Sequence, residues 1–264
     1  MLICRFAAGD DIWFGALDGL GDDDEITDDT VVAPMVGHPF VEIRPEGSVL
    51  KAADVRLLAP VLPSKIVCVG KNYRDHAAEM GGEVPSEPLL FIKPSTSVIG
   101  TGDPIDLPWQ SERVEHEGEL AVVIGRMCKD LPLERVDDVV FGYTCANDVT
   151  ARDLQKADGQ WTRAKGFDTF CPLGPWIQTD LRPEDADITV TVNGEVRQRS
   201  GIDAMVHDVR NVVSYISSCM TLLPGDVILT GTPEGVGPLT RGDVVSVRVS
   251  GIGTLTNPVR SEAP

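Results

Sequence analysis

The chain has 264 residues and a mass of 28.4 kDa, with 42% hydrophobic and 24% charged residues, the balance of one large globular domain or one and a half small ones. Those proportions exclude a disordered, collagenous or coiled-coil chain and supply enough apolar material for a sizeable core. The 23 Lys and Arg against 41 Asp and Glu leave a formal charge of −18, which repels phosphate backbones and anionic lipid, sets nucleic-acid and membrane partners aside, and would draw in a metal cation.

The N-terminus, MLICRFAAGDD, turns acidic after nine residues and lacks the basic-then-apolar pattern of a signal peptide. No apolar run approaches the ~20 residues of a membrane span, so the chain reads as cytoplasmic. The six cysteines (Cys4, Cys68, Cys128, Cys145, Cys171, Cys219) show no metal-like spacing and read as reduced, structural thiols. Residues 1–60 carry four basic and twelve acidic side chains, six of the latter between Asp22 and Asp29. That stretch lacks the alternating ligands and closing Glu of an EF-hand and reads as a solvated loop between two short strands. Ala59-Pro60-Val61-Leu62-Pro63 reads as an extended linker. The predicted organisation is a small acidic β-rich N-terminal domain, 1–62, and a main domain, 63–264.

Gly70 and Gly81-Gly82 bracket a segment in which His76 and Glu79 are three apart, adjacent on one face if helical. A carboxylate beside an imidazole fixes its tautomer and raises its basicity, as a general base requires. The glycines read as hinges of a lid, mobile from Arg74 to Pro85 without ligand. Taken alone, a surface helix turn with an incidental ion pair fits equally.

Glu117-Gly118-Glu119 opens the buried strand Leu120–Ile124. Positions i and i+2 share a face about 6–7 Å apart, so the two carboxylates repel unless a cation lies between them. Gly118 admits a close approach to the backbone, His116 faces the other way, and Glu115 shares the carboxylate face further back. By themselves the two glutamates also fit a solvated strand edge. Thr150 with Asp153 resembles a helix-start box, placing Asp148 just before a short helix. Alone, Asp148 is turn chemistry; joined to the glutamates it is a third oxygen ligand. Three carboxylates without Cys or His suit Mg²⁺ or Mn²⁺. Lys165, between aromatic and Gly-rich sequence, reads first as a snorkelling lysine.

Further on, Ile188–Val192 and Glu195–Gln198 flank Asn193-Gly194, a strong hairpin signal. Met205, Val209, Val212, Val213, Ile216 and Met220 recur at helical spacing until Pro224-Gly225. Val227–Thr230 and Val244–Val249 are β-branched runs. Thr230–Gly237 is Gly-rich but lacks a P-loop ending, which leaves an anion-binding turn rather than a nucleotide site. Strands without βαβ alternation argue against a doubly wound sheet.

Together these segments resemble the fumarylacetoacetate hydrolase family. The resemblance runs in order through Val69–Tyr73 with His76 and Glu79, Phe91–Ser95, Glu117–Leu120, Asn147–Asp153, Lys165–Asp168, Val192–Gly194 and Leu229–Pro233, within residues 63–262. It implies a mixed, mostly β fold, a β-roll with few helices, and a homodimer. It implies Glu117, Glu119 and Asp148 as ligands of Mg²⁺ or Mn²⁺, His76 and Glu79 as a lid dyad, and Arg152, Lys165, Thr232 and Tyr73 as contacts to a small dicarboxylate. The N-terminal part looks like the variable extra domain of some bacterial members. The implied activity is cleavage or isomerisation of 2-oxo or enol dicarboxylates. Acylpyruvate-type hydrolysis, 2-hydroxyhepta-2,4-diene-1,7-dioate isomerisation and oxaloacetate-type decarboxylation all fit, in aromatic-acid or central carbon catabolism. A non-catalytic protein with a structural cation is the competing class, and the His76–Glu79 pair argues against it, because a structural site needs no base.

Overall fold

The β-branched runs fold as strands of three sheets in a computed structural model that describes residues 1–41 and 44–261. The result is the mostly β, rolled-sheet architecture that the family resemblance implies. Four α-helices occur among the described residues: α1 (Arg74–Glu79), α2 (Arg152–Asp158), α3 (Thr162–Lys165) and α4 (Val209–Cys219).

The central strand Gly118–Ile124 is buried at every position. Leu120, Val122 and Ile124 join one hydrophobic cluster, while Ala121 and Val123 join a second on the opposite face. Burial on both faces explains why this strand reads as an uninterrupted apolar run rather than an alternation. It pairs antiparallel with Val140–Asn147 on one side and with Val227–Leu229 on the other. Beyond Val227–Leu229 lies Ile66–Gly70, paired in parallel, and then the terminal strand Leu89–Lys93.

A five-stranded sheet runs in the order Ile105–Leu107, Gly253–Ser261, Val244–Val249, Asp187–Val192 and Glu195–Gly201. Its hairpin turns at Asn193 (φ 53°) and Gly194 (φ 81°), the two left-handed residues that a tight two-residue turn requires. This sheet packs against the start of the central strand. A Cβ on Gly118 would lie 2.2 Å from Val190 Cγ2, so the close approach expected at this glycine is made by the second sheet.

Three local expectations change. The helical stripe extends from Met205 to Met220, yet α4 begins only at Val209, because the Asp208 side chain accepts the Asn211 N–H at 2.8 Å and starts the helix there. Thr150 and Asp153 form no helix-start box. Thr150 belongs to the short strand Thr150–Ala151 and donates its hydroxyl to the Asp148 carbonyl, and Asp153 accepts from Ser111 and the Glu112 N–H. Third, the N-terminal strands and the stretch after them are packed onto the main body. Leu2 and Ile3 pair with Gln178 and Ile177, so the first strand, Leu2–Ala8, extends the sheet that contains the central strand. Ala59, Pro60, Val61 and Pro63 are buried, and the expected linker is part of the packed body. The acidic loop is docked as well: Asp23 pairs with Arg248 at 2.7 Å and Asp24 accepts the Gly251 N–H at 3.0 Å.

Candidate functional site

Glu117 leads into the central strand and Asp148 follows Val140–Asn147, the adjacent strand, whose residue Asn147 pairs with Gly118. Two hydrogen bonds lock the crossing: Asp148 N–H donates to the Glu117 carbonyl at 2.8 Å, and Glu117 N–H donates to Asn147 Oδ1 at 3.0 Å. Glu119, two residues on, projects to the same side. One carboxylate oxygen from each of Glu117, Glu119 and Asp148 lies within 4.8 Å of the others, and all three residues are buried.

Cations surround this triad unevenly. Lys165, from the end of α3, donates to Glu117 Oε2 at 2.7 Å and to Asp148 Oδ2 at 2.5 Å. Arg152, the first residue of α2, donates to Glu115 at 2.6 Å, to Gln155 at 2.7 Å and to Glu117. Lys93, wholly buried at the end of the terminal strand, donates to Asp148 Oδ1 at 2.6 Å and to the Val149 carbonyl at 3.1 Å. Burial would raise the Glu117 carboxyl, but Lys165 and Arg152 outweigh it and hold Glu117 well below the ordinary carboxylate range. Glu119 goes the opposite way. Burial, then the charges of Asp148 and Glu117, push it well above its ordinary value. Among the described residues it accepts from the Gly231 N–H, at 2.6 Å, and no cation pairs with it.

This donor set fits a hard divalent cation. It is all oxygen, it converges, and it contains a buried carboxylate without a countercharge, an expensive arrangement unless a cation supplies one.

Helix α1 lies over the triad. His76 is 5% exposed, and its Nδ1 is 3.1 Å from Glu79 Oε2. A carboxylate only accepts, so the proton resides on Nδ1 and the lone pair on Nε2. Glu79 also accepts the Gly235 N–H at 3.1 Å, tying the helix to the Gly-rich turn. The expected anion-binding turn therefore presents N–H groups to two of the protein's own carboxylates, Glu119 and Glu79. Within the segment expected to act as a lid, Arg74–Glu79 forms α1 beside the site.

A partly open cavity of about 50 Å³ is lined by His76, Glu117, Glu119, Asp148, Arg152, Lys165 and Thr232, with Lys71, Gln155, Met80, Phe91 and Trp161 among its walls. Seven of the nine residues singled out from sequence thus meet at one surface. Glu79 stands behind His76, and Tyr73 is buried at the start of α1 outside the lining. Burial and then the nearby Glu119 charge raise the Tyr73 phenol, so it stays protonated. The Thr232 hydroxyl donates to the Gly118 carbonyl at 2.8 Å and accepts from Gln198 at 2.7 Å, so it offers a bound molecule a lone pair rather than a proton.

Sequence reasoning gave no role to Lys93 or Gln198. Gln198, 1% exposed, joins Thr232, the Gly118 N–H and His116 in one network. The available signals were a lysine ending an apolar strand and a glutamine closing a predicted hairpin.

Residues 65–260 match the family described as fumarylacetoacetate (FAA) hydrolase C-terminal, and residues 1–60 match Rv2993c-like, N-terminal. The chain is 52% identical to the crystal structure of 5-carboxymethyl-2-hydroxymuconate delta-isomerase from Mycobacterium smegmatis, covering 99% of this chain and 100% of that one with a TM-score of 0.91. It is 45% identical over 198 residues to a mitochondrial oxaloacetate decarboxylase of Dictyostelium discoideum, covering 72% of this chain and 90% of that protein. It is 29% identical to maleylpyruvate hydrolase from Sphingobium sp. SYK-6, solved in complex with manganese(II) and pyruvate, with full coverage of both chains and a TM-score of 0.79.

Proposed function

The chain belongs to the fumarylacetoacetate hydrolase family, and from that premise we propose that it is a Mg²⁺- or Mn²⁺-dependent enzyme that cleaves or isomerises 2-oxo or enol dicarboxylates. The observation that carries this reading is the buried Glu117–Glu119–Asp148 triad, with Glu119 paired to no cation among the described residues, directly beneath the His76–Glu79 pair. The similar proteins are named for an isomerisation, a decarboxylation and a hydrolysis, and the one with manganese also holds a 2-oxo acid.

Glu117, Glu119 and Asp148 would hold the cation. Bound there, it supplies Lewis-acid stabilisation of the negative charge that grows on a 2-oxo acid as its C–C bond breaks. The chain's own groups do the rest. Lys165 has given two of its three N–H bonds to Glu117 and Asp148, and its fixed ammonium places further positive charge beside the triad. Arg152 is held by Glu115, Glu117 and Gln155, so its charge is preorganised rather than mobile. His76, with its proton on Nδ1 and Glu79 behind it, accepts a proton from water at Nε2, which activates that water for attack on a distal carbonyl. Where no water is admitted, the same negative charge is relieved by reprotonation at another carbon, or arises by loss of CO₂. One site therefore accommodates three outcomes.

The cavity lies directly against the triad, where a cation and a 2-oxo acid would meet. On this reading α1 is the lid, tied to the Gly-rich turn by the Glu79–Gly235 contact. The test is a turnover screen of acylpyruvates, oxaloacetate and dienoic diacids with Mg²⁺ or Mn²⁺. Turnover of at least one class, lost with chelator and restored by metal, supports the reading. Metal-independent turnover, or none of any class, overturns it.

A further inference from the structure

Three cationic side chains line the cavity, and two of them are already engaged with carboxylates. Arg152 spends its nitrogens on Glu115, Glu117 and Gln155, and Lys165 bridges Glu117 and Asp148. The third is Lys71, and among the described residues it has no carboxylate partner. It occupies the turn between the strand Ile66–Gly70 and α1 with a left-handed backbone (φ 56°), which an unbranched non-glycine residue adopts only when its surroundings demand it. Its ammonium reaches across to the far end of the lid segment, where a Cβ on Gly82 would lie 2.7 Å from Lys71 Nζ. Lys71 thus touches both ends of the lid segment, and it lines the cavity together with Met80, Phe91 and Trp161.

We propose that Lys71 is a specificity-determining residue that receives the distal carboxylate of a 2-oxo diacid whose proximal end lies at the Glu117–Glu119–Asp148 triad. The assignment rests on the functional reading above and refines its substrate class. Lys165, 5.0 Å from the Phe91 ring centroid, is already committed to Glu117 and Asp148, whereas the Lys71 ammonium, with no carboxylate partner among the described residues, gains one when a diacid binds. The glycine at 82 leaves room for the ammonium between lid and ligand. A substrate ending in a methyl group draws nothing from Lys71, so the residue discriminates diacids from monoacids rather than serving the bond-breaking step.

The experiment compares two acylpyruvates of equal length, one ending in a carboxylate and one in a methyl group, with wild type, Lys71→Met and Lys71→Arg. Lys71→Met is expected to lower the diacid-to-monoacid ratio of kcat/KM on the order of 10- to 100-fold, carried by KM, the scale of one charged hydrogen bond. Lys71→Arg keeps the charge and is expected to restore most of the ratio. A ratio unchanged in Lys71→Met, or lowered as far in Lys71→Arg, overturns the assignment. Wild type that turns over neither acylpyruvate with Mg²⁺ or Mn²⁺ overturns the assignment, and only if oxaloacetate and dienoic diacids also go unturned does the functional reading fail with it.

Discussion

Glu119 is the residue on which the electrostatics of the site turn. Glu117 and Asp148 each accept from buried lysine or arginine, while among the described residues Glu119 accepts only from a backbone N–H. Glu117→Ala removes a ligand and also strips Arg152 and Lys165 of an acceptor, so it is expected to abolish chelator-sensitive turnover. Substantial residual activity in that variant would argue against the triad. His76→Ala is expected to slow turnover on the order of 10²–10⁴-fold with metal affinity nearly unchanged, the scale of losing a general base. Glu79→Gln should fall in the same direction but less far, since the imidazole stays and only its orienting charge goes. Wild-type rates in both would transfer water activation away from the dyad. At this scale the sequence was informative where charge spacing is local. Glu117, Glu119, His76 and Glu79 announce themselves by separations of two and three residues. Lys93 does not, because it meets Asp148 only through the pairing of distant strands, and a lysine ending an apolar strand reads as a snorkelling side chain.

Among the elements, α1 is the proposed lid. Its amides are closed by short local bonds, Ala77 N–H to Tyr73 O at 2.9 Å and Met80 N–H to His76 O at 3.0 Å, and its outer side is exposed. A helix of six residues has little stability of its own and depends on its packing and the Glu79 tether. Mn²⁺ with a small diacid inhibitor such as oxalate is therefore expected to slow hydrogen exchange across residues 74–85. Exchange unaffected by the inhibitor would remove the lid role. Helix α4, in contrast, is structural: Asp208→Ala should cost ~1 kcal/mol and lower the melting temperature by about 2–4 °C without changing turnover. The Asn193-Gly194 hairpin and the α4 stripe of Val209, Val212, Val213 and Ile216 were legible because turn chemistry and helical spacing are local. The helix-start box at Thr150 was misread for the opposite reason. Ser111, far away in sequence, claims the Asp153 carboxylate and leaves Thr150 free to bond Asp148.

For the whole molecule, sequence suggested a boundary near residue 62, and the proline-rich stretch there is real but packed. Composition and prolines cannot reveal that Leu2 and Ile3 pair with Ile177 and Gln178, because sheet register is fixed by partners across the fold. No helix among the described residues is long and apolar enough to cross a membrane. The terminal strand Leu89–Lys93 ends the large sheet with Leu89 and Ile92 exposed, an edge that proteins commonly cover by association. On that ground we propose a homodimer, for which light scattering at micromolar concentration should give twice the 28.4 kDa chain mass. A monomer mass would count against it.

The central claim is that the buried carboxylates hold a divalent cation, and calorimetric titration of the metal-stripped protein with Mn²⁺ tests it most directly. The account predicts one ion per chain for wild type and an affinity weaker on the order of 100-fold or more for Glu119→Gln, which preserves shape and removes only the charge. Undiminished binding by Glu119→Gln, or no binding by wild type, would contradict it.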